Sequence, residues 1–456
     1  MDNMNMYVKP NISMLLMISI VASLGGLLFG FDIAIISGTV PFIKDYFNLN
    51  ELMLGWGVSS LLIGCIIGAA FAGKLSDYYG RRKMLIVTSL FFAVSCFATG
   101  LANNFVYFFL VRMVGGLAVG AASILSPMYI SEVSPSKYRG RMVVLYQLAI
   151  VTGILISYII NYLLHDIGPN NWRWMFASGT VPSILFFILL FFVPRSPRWL
   201  YNKGMQQQAY DILQKVGGTK NADYEIAEIK ESLKQKTIGF KQLFNPRLRR
   251  VLFLGLFLAV FVQMTGINTV IDYAPAILAR VGLEVGDALF YTIGIGIVNF
   301  IFTWVAIIFI DRLGRRKLYL IGSAGMAISM VLLSYAFSKP EINGILVLVL
   351  MFLFLSFFTG CIGPVFWTLI SEIFPNRARG VGMSVAVLTN WTFNWLVVFL
   401  FPWMLDYYGG TIVYGFLAVM GLIQFILTKK FVPETKGKTL EEIEMMWDEI
   451  AIKKDL

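Results

Sequence analysis

Charge is scarce in this chain. Of its 456 residues only 14% are charged, whereas 58% are hydrophobic, and the mean hydropathy is +0.74. A soluble domain carries about 25% charged and 45–50% apolar residues, so a soluble fold could not cover this much apolar surface. The excess lies in several long uncharged stretches. A transmembrane helix needs roughly 20 apolar residues to cross about 30 Å of hydrocarbon, so lipid is the solvent and the bilayer a partner. Histidine is nearly absent: His165 stands alone in a short polar loop, reads as solvated, and excludes a histidine-rich metal centre. Cys65, Cys96 and Cys361 are scattered through apolar stretches, which excludes a disulfide framework or zinc site and leaves them as small core residues. Residues 1–10 lack the small-residue cleavage site of a signal peptide, so the first apolar run is expected to be retained. With no nucleophile–base pair, metal cluster or phosphate loop, the chain does not read as an enzyme, and no cofactor or metal is expected.

Twelve apolar segments are present, at about 12–36, 54–75, 84–102, 106–130, 142–164, 174–193, 249–271, 288–310, 318–338, 344–370, 380–402 and 411–431. Between the sixth and seventh lies a stretch of different character, Arg195 to Arg250, rich in Lys, Glu and Gln and containing helical runs. The expected division is therefore a six-helix bundle over 1–193, a helical linker over 194–248, a second bundle over 249–431 and a C-terminal helix over 432–456. Thr439-Leu-Glu-Glu442 resembles a capping box and would start that last helix. With both ends on one side, the inner segments hold 32 of the 37 Lys and Arg, and the outer loops hold only Lys44, Arg173, Arg280 and Lys339. The positive-inside rule then makes both termini and the linker cytoplasmic. The same placement explains the net charge of +11 without nucleic acid, because the basic residues lie beside membrane ends and not on one folded face.

The halves repeat. Asp77-Tyr-Tyr-Gly-Arg-Arg-Lys83 recurs as Asp311-Arg-Leu-Gly-Arg-Arg-Lys317, and Ser131-Glu-Val-Ser-Pro-Ser-Lys-Tyr-Arg-Gly140 as Ser371-Glu-Ile-Phe-Pro-Asn-Arg-Ala-Arg-Gly380. A parallel repeat of six spans suggests two similar bundles with a substrate at mid-membrane between them. In these loops Glu132 and Glu372 end their helices near Arg81, Arg82 and Arg139 and their counterparts Arg315, Arg316 and Arg379. Together with Asp77 and Asp311 they read as a cytoplasmic gate, in which pairs between bundles hold the inner side closed. Solvated charge is the alternative, and it suits the lysines of these loops better.

An ionisable residue at the centre of a membrane helix costs about 2.5–3.5 kcal/mol on insertion scales and is a functional candidate by default. Asp32 lies toward the outer end of span one, and Arg112 about six residues after the outer start of span four, depths that allow pairing. A carboxylate that exchanges an arginine partner for a proton is a workable proton carrier; a fixed structural ion pair is the alternative. Amides also lie within apolar helices: Gln147, Gln263, Asn268, Asn299 and Asn390. They supply both donors and acceptors, or else they join helices.

The ordered set Gly-Gly-Leu-Leu-Phe-Gly-Phe-Asp32, the two Gly-Arg-Arg loops, Pro194-Arg-Ser-Pro-Arg-Trp199, Gln263-Met-Thr-Gly-Ile-Asn268 and Pro433-Glu-Thr-Lys-Gly437 resembles the sugar porters of the major facilitator superfamily. The resemblance runs from Gly25 to about Trp447 and implies an all-α integral membrane fold: 12 transmembrane helices in two six-helix bundles with cytoplasmic helices between them. It implies a monomeric transporter of the plasma (bacterial inner) membrane that carries a monosaccharide with a proton. The proton symporters of the family have aspartate at the position of Asp32, and the animal facilitative glucose transporters an amide. Gln147, Gln263, Asn268, Asn299 and Asn390 then line a sugar site, with Trp367 and Trp391 as aromatic surfaces and Phe29 beside them. Trp304, Trp395 and Trp403 read as packing or interface belt. Three positions depart from the family pattern: Arg195 replaces Glu, Val262 replaces the first of two glutamines, and Asp272-Tyr273 replaces Tyr-Tyr. Asp272 follows Asn268 by one helical turn. Two readings are open, an ionised acceptor of sugar hydroxyls at the outer lip of the site, or a protonated mimic of the phenol. Arg280 would reach it only if span seven breaks near Pro275.

Proton symport by alternating access is the main functional reading. A proton-independent uniporter is the nearest alternative, separated by uphill accumulation. A non-transporting sugar sensor belongs to another class and usually needs a longer tail than the roughly 25 residues after span twelve.

Overall fold

The computed structural model describes residues 11–234, 239–375, 378–437 and 442. Among these, helices dominate and no strand occurs. The first half holds α1 (Ile12–Tyr46), α2 (Glu51–Tyr79), α3 (Arg81–Gly100), α4 (Phe105–Val133) and α5 (Ser136–Leu164), with α6 (Asn171–Ser178) and α7 (Thr180–Leu189) forming one span. The linker contributes α8 (Pro197–Asn202), α9 (Gln206–Gly217) and α10 (Thr219–Lys234). The second half holds α11 (Pro246–Met264), α12 (Ile267–Arg280), α13 (Val285–Leu313), α14 (Arg315–Phe337), α15 (Gly344–Phe357), α16 (Gly363–Ile373) and α17 (Arg379–Phe431). α17 is two spans, 379–408 and 410–431, joined at a non-helical Gly409, so the chain crosses twelve times. The helix expected over 432–456 lies almost wholly outside the described residues, as does the Asp311 side chain.

Local chemistry sets the helix ends. α2, α4 and α15 start behind Asn50, Asn104 and Asn343, whose side-chain oxygens accept backbone N–H groups at 2.8, 2.8 and 3.1 Å, the usual N-cap arrangement. The repeated Gly-Arg-Arg has a backbone cause: Gly80 and Gly314 take φ of 97° and 87°, a region costly for any residue with a Cβ, and the arginines begin the next helix. Span seven breaks at Gly266, which takes a left-handed φ of 86° between α11 and α12. Pro275 lies inside α12 and does not break it.

The outer surface is apolar. Phe71, Phe97, Val181, Phe192 and Ile328 are all exposed, which water would penalise and hydrocarbon does not. Contacts joining the bundles gather on the side opposite the linker. There Trp56 of α2 lies 5.9 Å from Trp395 and 4.7 Å from Phe399 of α17 between ring centroids. Tyr162 packs on Phe290 at 5.4 Å, and the Tyr158 hydroxyl donates to the Ile271 carbonyl at 3.1 Å. His165, expected to be solvated, is half-buried and stacked on Tyr162.

Candidate substrate and proton site

Two buried polar clusters lie within the spans, one in each bundle. In the first, Arg112 of α4 pairs with Asp32 of α1 through Nη1 and Oδ1, and Arg112 Nη2 donates to the Asp32 carbonyl at 3.1 Å. Both side chains are 2% exposed. The guanidinium stands 5.1 Å above the Phe176 ring, a favourable seat for a desolvated cation. Asp32 Oδ2 is buried with no protein partner, so the carboxyl keeps a free oxygen beside an arginine that holds the other. α1 runs on to Tyr46, fourteen residues past Asp32, which seats the pair deeper than the apolar segment 12–36 implies. Ser37 and Thr39 bond back to Ala34 and Ile36 carbonyls, so this polar stretch remains helical.

The second cluster depends on the break at Gly266. It turns the end of α11 against the start of α12, and Asn268 Nδ2 donates to Gln263 Oε1 at 2.8 Å. Gln263 Nε2 in turn donates to Asn390 Oδ1 of α17 at 3.0 Å. The structure thus joins three of the five expected amides into a chain. Trp391, next to Asn390, is buried, and its ring lies 5.8 Å from Phe29 of the other bundle. Gln147 is half-buried on α5 and bonds to none of these amides. Asn299 is separate from this chain, accepting from Thr359 at 3.0 Å beside the π-turn Phe358–Ile362. Trp367 is exposed and packs on Phe366, apart from the Trp391 ring. Sequence reading missed Asn394, which is buried with Oδ1 unpartnered. Its spacing of four from Asn390 was the available signal, because it shares that helix face. Trp304 and Trp403 are exposed, whereas Trp395 stacks on Phe399.

Asp272 is 3% exposed and its Oδ1 has no protein partner. Arg280 does not reach it, lying instead 3.6 Å from Asp406, because the span breaks at Gly266 and not at Pro275.

Several of the expected gate residues are engaged within their own bundle or with the linker. Arg81 binds Asp77 at 2.8 Å and Glu132 at 3.1 Å, and Ser196 donates to Glu132. In the second half Arg315 binds Glu372 at 3.2 Å and Thr435 donates to Glu372 at 2.6 Å. Arg82 caps the carbonyls of Leu190 and Phe191, and Arg316 that of Lys429. Arg139 binds Glu225 of the linker helix α10 at 2.8 Å. Burial pushes the Glu225 carboxyl above its usual range, and Arg139 opposes the shift. Arg379 begins α17, the counterpart of this region. In both halves the glutamate ends a helix beside the arginine that starts another in its own bundle.

A family model described as "Sugar (and other) transporter" matches residues 18–447. The arabinose-proton symporter of Bacillus subtilis (strain 168) is 38% identical over 462 residues, covering 98% of this chain and 100% of that one. The D-xylose-proton symporter of Escherichia coli (strain K12) is 40% identical over 483 residues, covering 97% and 98%. Among solved structures, the partially occluded inward open conformation of the xylose transporter XylE from E. coli superposes with a TM-score of 0.84 at 38% identity, covering 94% of this chain and 100% of that one.

Proposed function

The chain belongs to the sugar-porter family of the major facilitator superfamily, and on that premise we propose that it imports a pentose or hexose with a proton, by alternating access. The buried pair of Asp32 and Arg112 is the observation that carries the coupling. When Asp32 is ionised, Arg112 neutralises it, and when a proton takes the place of that charge the pair loosens and the bundles are free to rearrange. A solitary buried charge in either member would be costly, so proton binding and movement are linked.

The sugar site is the amide chain Gln263–Asn268–Asn390, joined by the half-buried Gln147 of α5 from the other bundle. Each amide that bonds its neighbour retains further donors and acceptors for hydroxyls, and mutual bonding fixes their orientation before a sugar arrives. Trp391 and Phe29 offer apolar faces to ring C–H groups. Asn299 and Trp367 are the outlying members of the set. The repeat motifs are conformational latches inside each bundle. The linker and both termini face the cytoplasm, the protein acts as a monomer in the plasma membrane, and the contacts opposite the linker are the closed outer gate. No enzymatic activity is part of this reading.

Purified protein in proteoliposomes should concentrate radiolabelled D-xylose or L-arabinose above equilibrium when the outside is acid, and a protonophore should abolish the gradient. Equilibration without accumulation would make it a uniporter. A competition series of unlabelled sugars against the transported label then ranks the substrates.

A further inference from the structure

Asp272 is a buried acid that neither the proton pair nor the amide chain uses. It lies in the first turns of α12, which packs against α1 of the opposite bundle. One residue away, the Ile271 carbonyl accepts the Tyr158 hydroxyl from α5, again across the interface. Its burial therefore depends on the two bundles meeting, and their separation on this side would return it to water.

The groups that face it leave a carboxylate poorly compensated. The cation buried in α4, Arg112, is already paired with Asp32 of α1. From α5 comes Tyr158, whose hydroxyl is committed to the Ile271 carbonyl. On α12 itself, Tyr273 donates to Val398 at 3.0 Å, and Arg280 is engaged with Asp406 of α17. Lys44 of α1 is paired with Glu51, Asp287 at the start of α13 is exposed, and α15 carries no charged residue. The charges of α11, Arg247, Arg249 and Arg250, lie at its far end. Ionised, Asp272 would be a buried carboxylate with no counterion of its own, a negative charge that closure cannot bury cheaply.

We propose that Asp272 is a second proton-binding site, which must be protonated for the bundles to close on the side opposite the linker. The inference rests on the alternating-access reading above. A hydronium ion in the open outer vestibule gives its proton to the carboxylate, leaving water and a neutral acid that closure buries. The acid stays buried while the outer side is closed, so the proton returns to the side it came from. It is a gate proton, not a carried one. Because closure takes up a proton, the closed fraction falls as external pH rises, by at most tenfold per pH unit.

Sugar exchange in right-side-out vesicles, at fixed internal pH and varied external pH, tests this with the transported radiolabelled pentose or hexose. Exchange should decline toward alkaline external pH in the parent protein and in Asp32→Asn. Asp32→Asn/Asp272→Asn should lose the decline that Asp32→Asn keeps, and the proton-to-sugar ratio of Asp272→Asn should match the parent. If the Asp272→Asn variants do not reach the membrane, Asp272→Tyr, also neutral, replaces that substitution in both. A decline as steep in the double variant as in Asp32→Asn overturns the proposal, and so does an altered proton-to-sugar ratio, which would make Asp272 a carrier. Failure of the parent to accumulate sugar, with an Asp272-dependent profile retained, would sink the symport reading and leave this site standing.

Discussion

The two bundles share one scaffold and differ in what they bury. The first holds a charge pair, Asp32 and Arg112, joining α1 to α4; the second holds neutral amides joining α11, α12 and α17. At the linker side they converge again, with Arg81–Glu132–Ser196 matched by Arg315–Glu372–Thr435. Repetition therefore preserves the hinges and latches, while the middle of the membrane has diverged. A charge pair responds to a proton, whereas amides answer hydroxyl groups that have no net charge. On the proposed reading, driving force and most of the cargo contacts thus belong to different halves, which meet at several places, among them the contact of Phe29 with Trp391.

The largest effect should come from erasing the charge on the first side of this comparison. Asp32→Asn is expected to stop uphill accumulation while leaving exchange of sugar measurable in proteoliposomes. The asparagine leaves Arg112 charged, buried and without its counterion, so the variant is locked out of the proton-dependent step. It does not touch the amide chain. If it still concentrates sugar under a proton gradient, the division of labour between bundles is broken.

On the second side, Gln263→Ala and Asn390→Ala should each weaken sugar binding by roughly five- to a hundred-and-fifty-fold, the equivalent of about 1–3 kcal/mol for a buried hydroxyl left without its partner. Gln147→Ala should do the same from across the interface. Calorimetry on purified protein measures this, and proton-dependent accumulation of what is still bound should persist. Gln263 is bonded on both sides, so its loss should also disorient Asn268 and Asn390, and the double variants should be non-additive. Unchanged affinity in all three would remove the amides from the site.

The legible parts of the sequence were those with a local physical signature. Apolar length marked the spans, and the two Gly-Arg-Arg loops marked the repeat. Asp32 and Arg112 stood out because charge in an apolar run is rare. What stayed hidden depended on three-dimensional neighbours. The break in span seven falls at Gly266, and Pro275 is accommodated within α12, since proline's missing N–H matters only where the helix has no other way to satisfy a carbonyl. Asn394 was overlooked among apolar neighbours, although its helical phase matches Asn390. The pairs that the gate residues make within their own bundle were not read, because Arg81 and Glu132 stand 51 positions apart and Arg315 and Glu372 57.

The smallest expected effect sharpens the one place where the latches differ. In the second half Glu434 sits on the N-terminus of α14, accepting the backbone N–H groups of Arg315 at 2.9 Å and Arg316 at 3.2 Å. A carboxylate at a helix N-terminus satisfies orphan donors and meets the positive end of the dipole. The corresponding motif position in the first half is Arg195, in the shallow recess with Gly80, Arg81, Arg82 and Lys83 at the start of α3. There a cation faces the same dipole end and three further cations. Arg195→Glu should therefore stabilise by about 0.3–1 kcal/mol, read as a rise of at most about two degrees in thermal midpoint for a chain of this size. Glu434→Arg should lower the midpoint by more, because it also removes two hydrogen bonds. The gain should shrink as salt rises, since the site is on the surface and screened. A midpoint for Arg195→Glu below that of the parent would show that the Arg195 side chain has a favourable role which the helix terminus does not explain, and that the two latches are not equivalent.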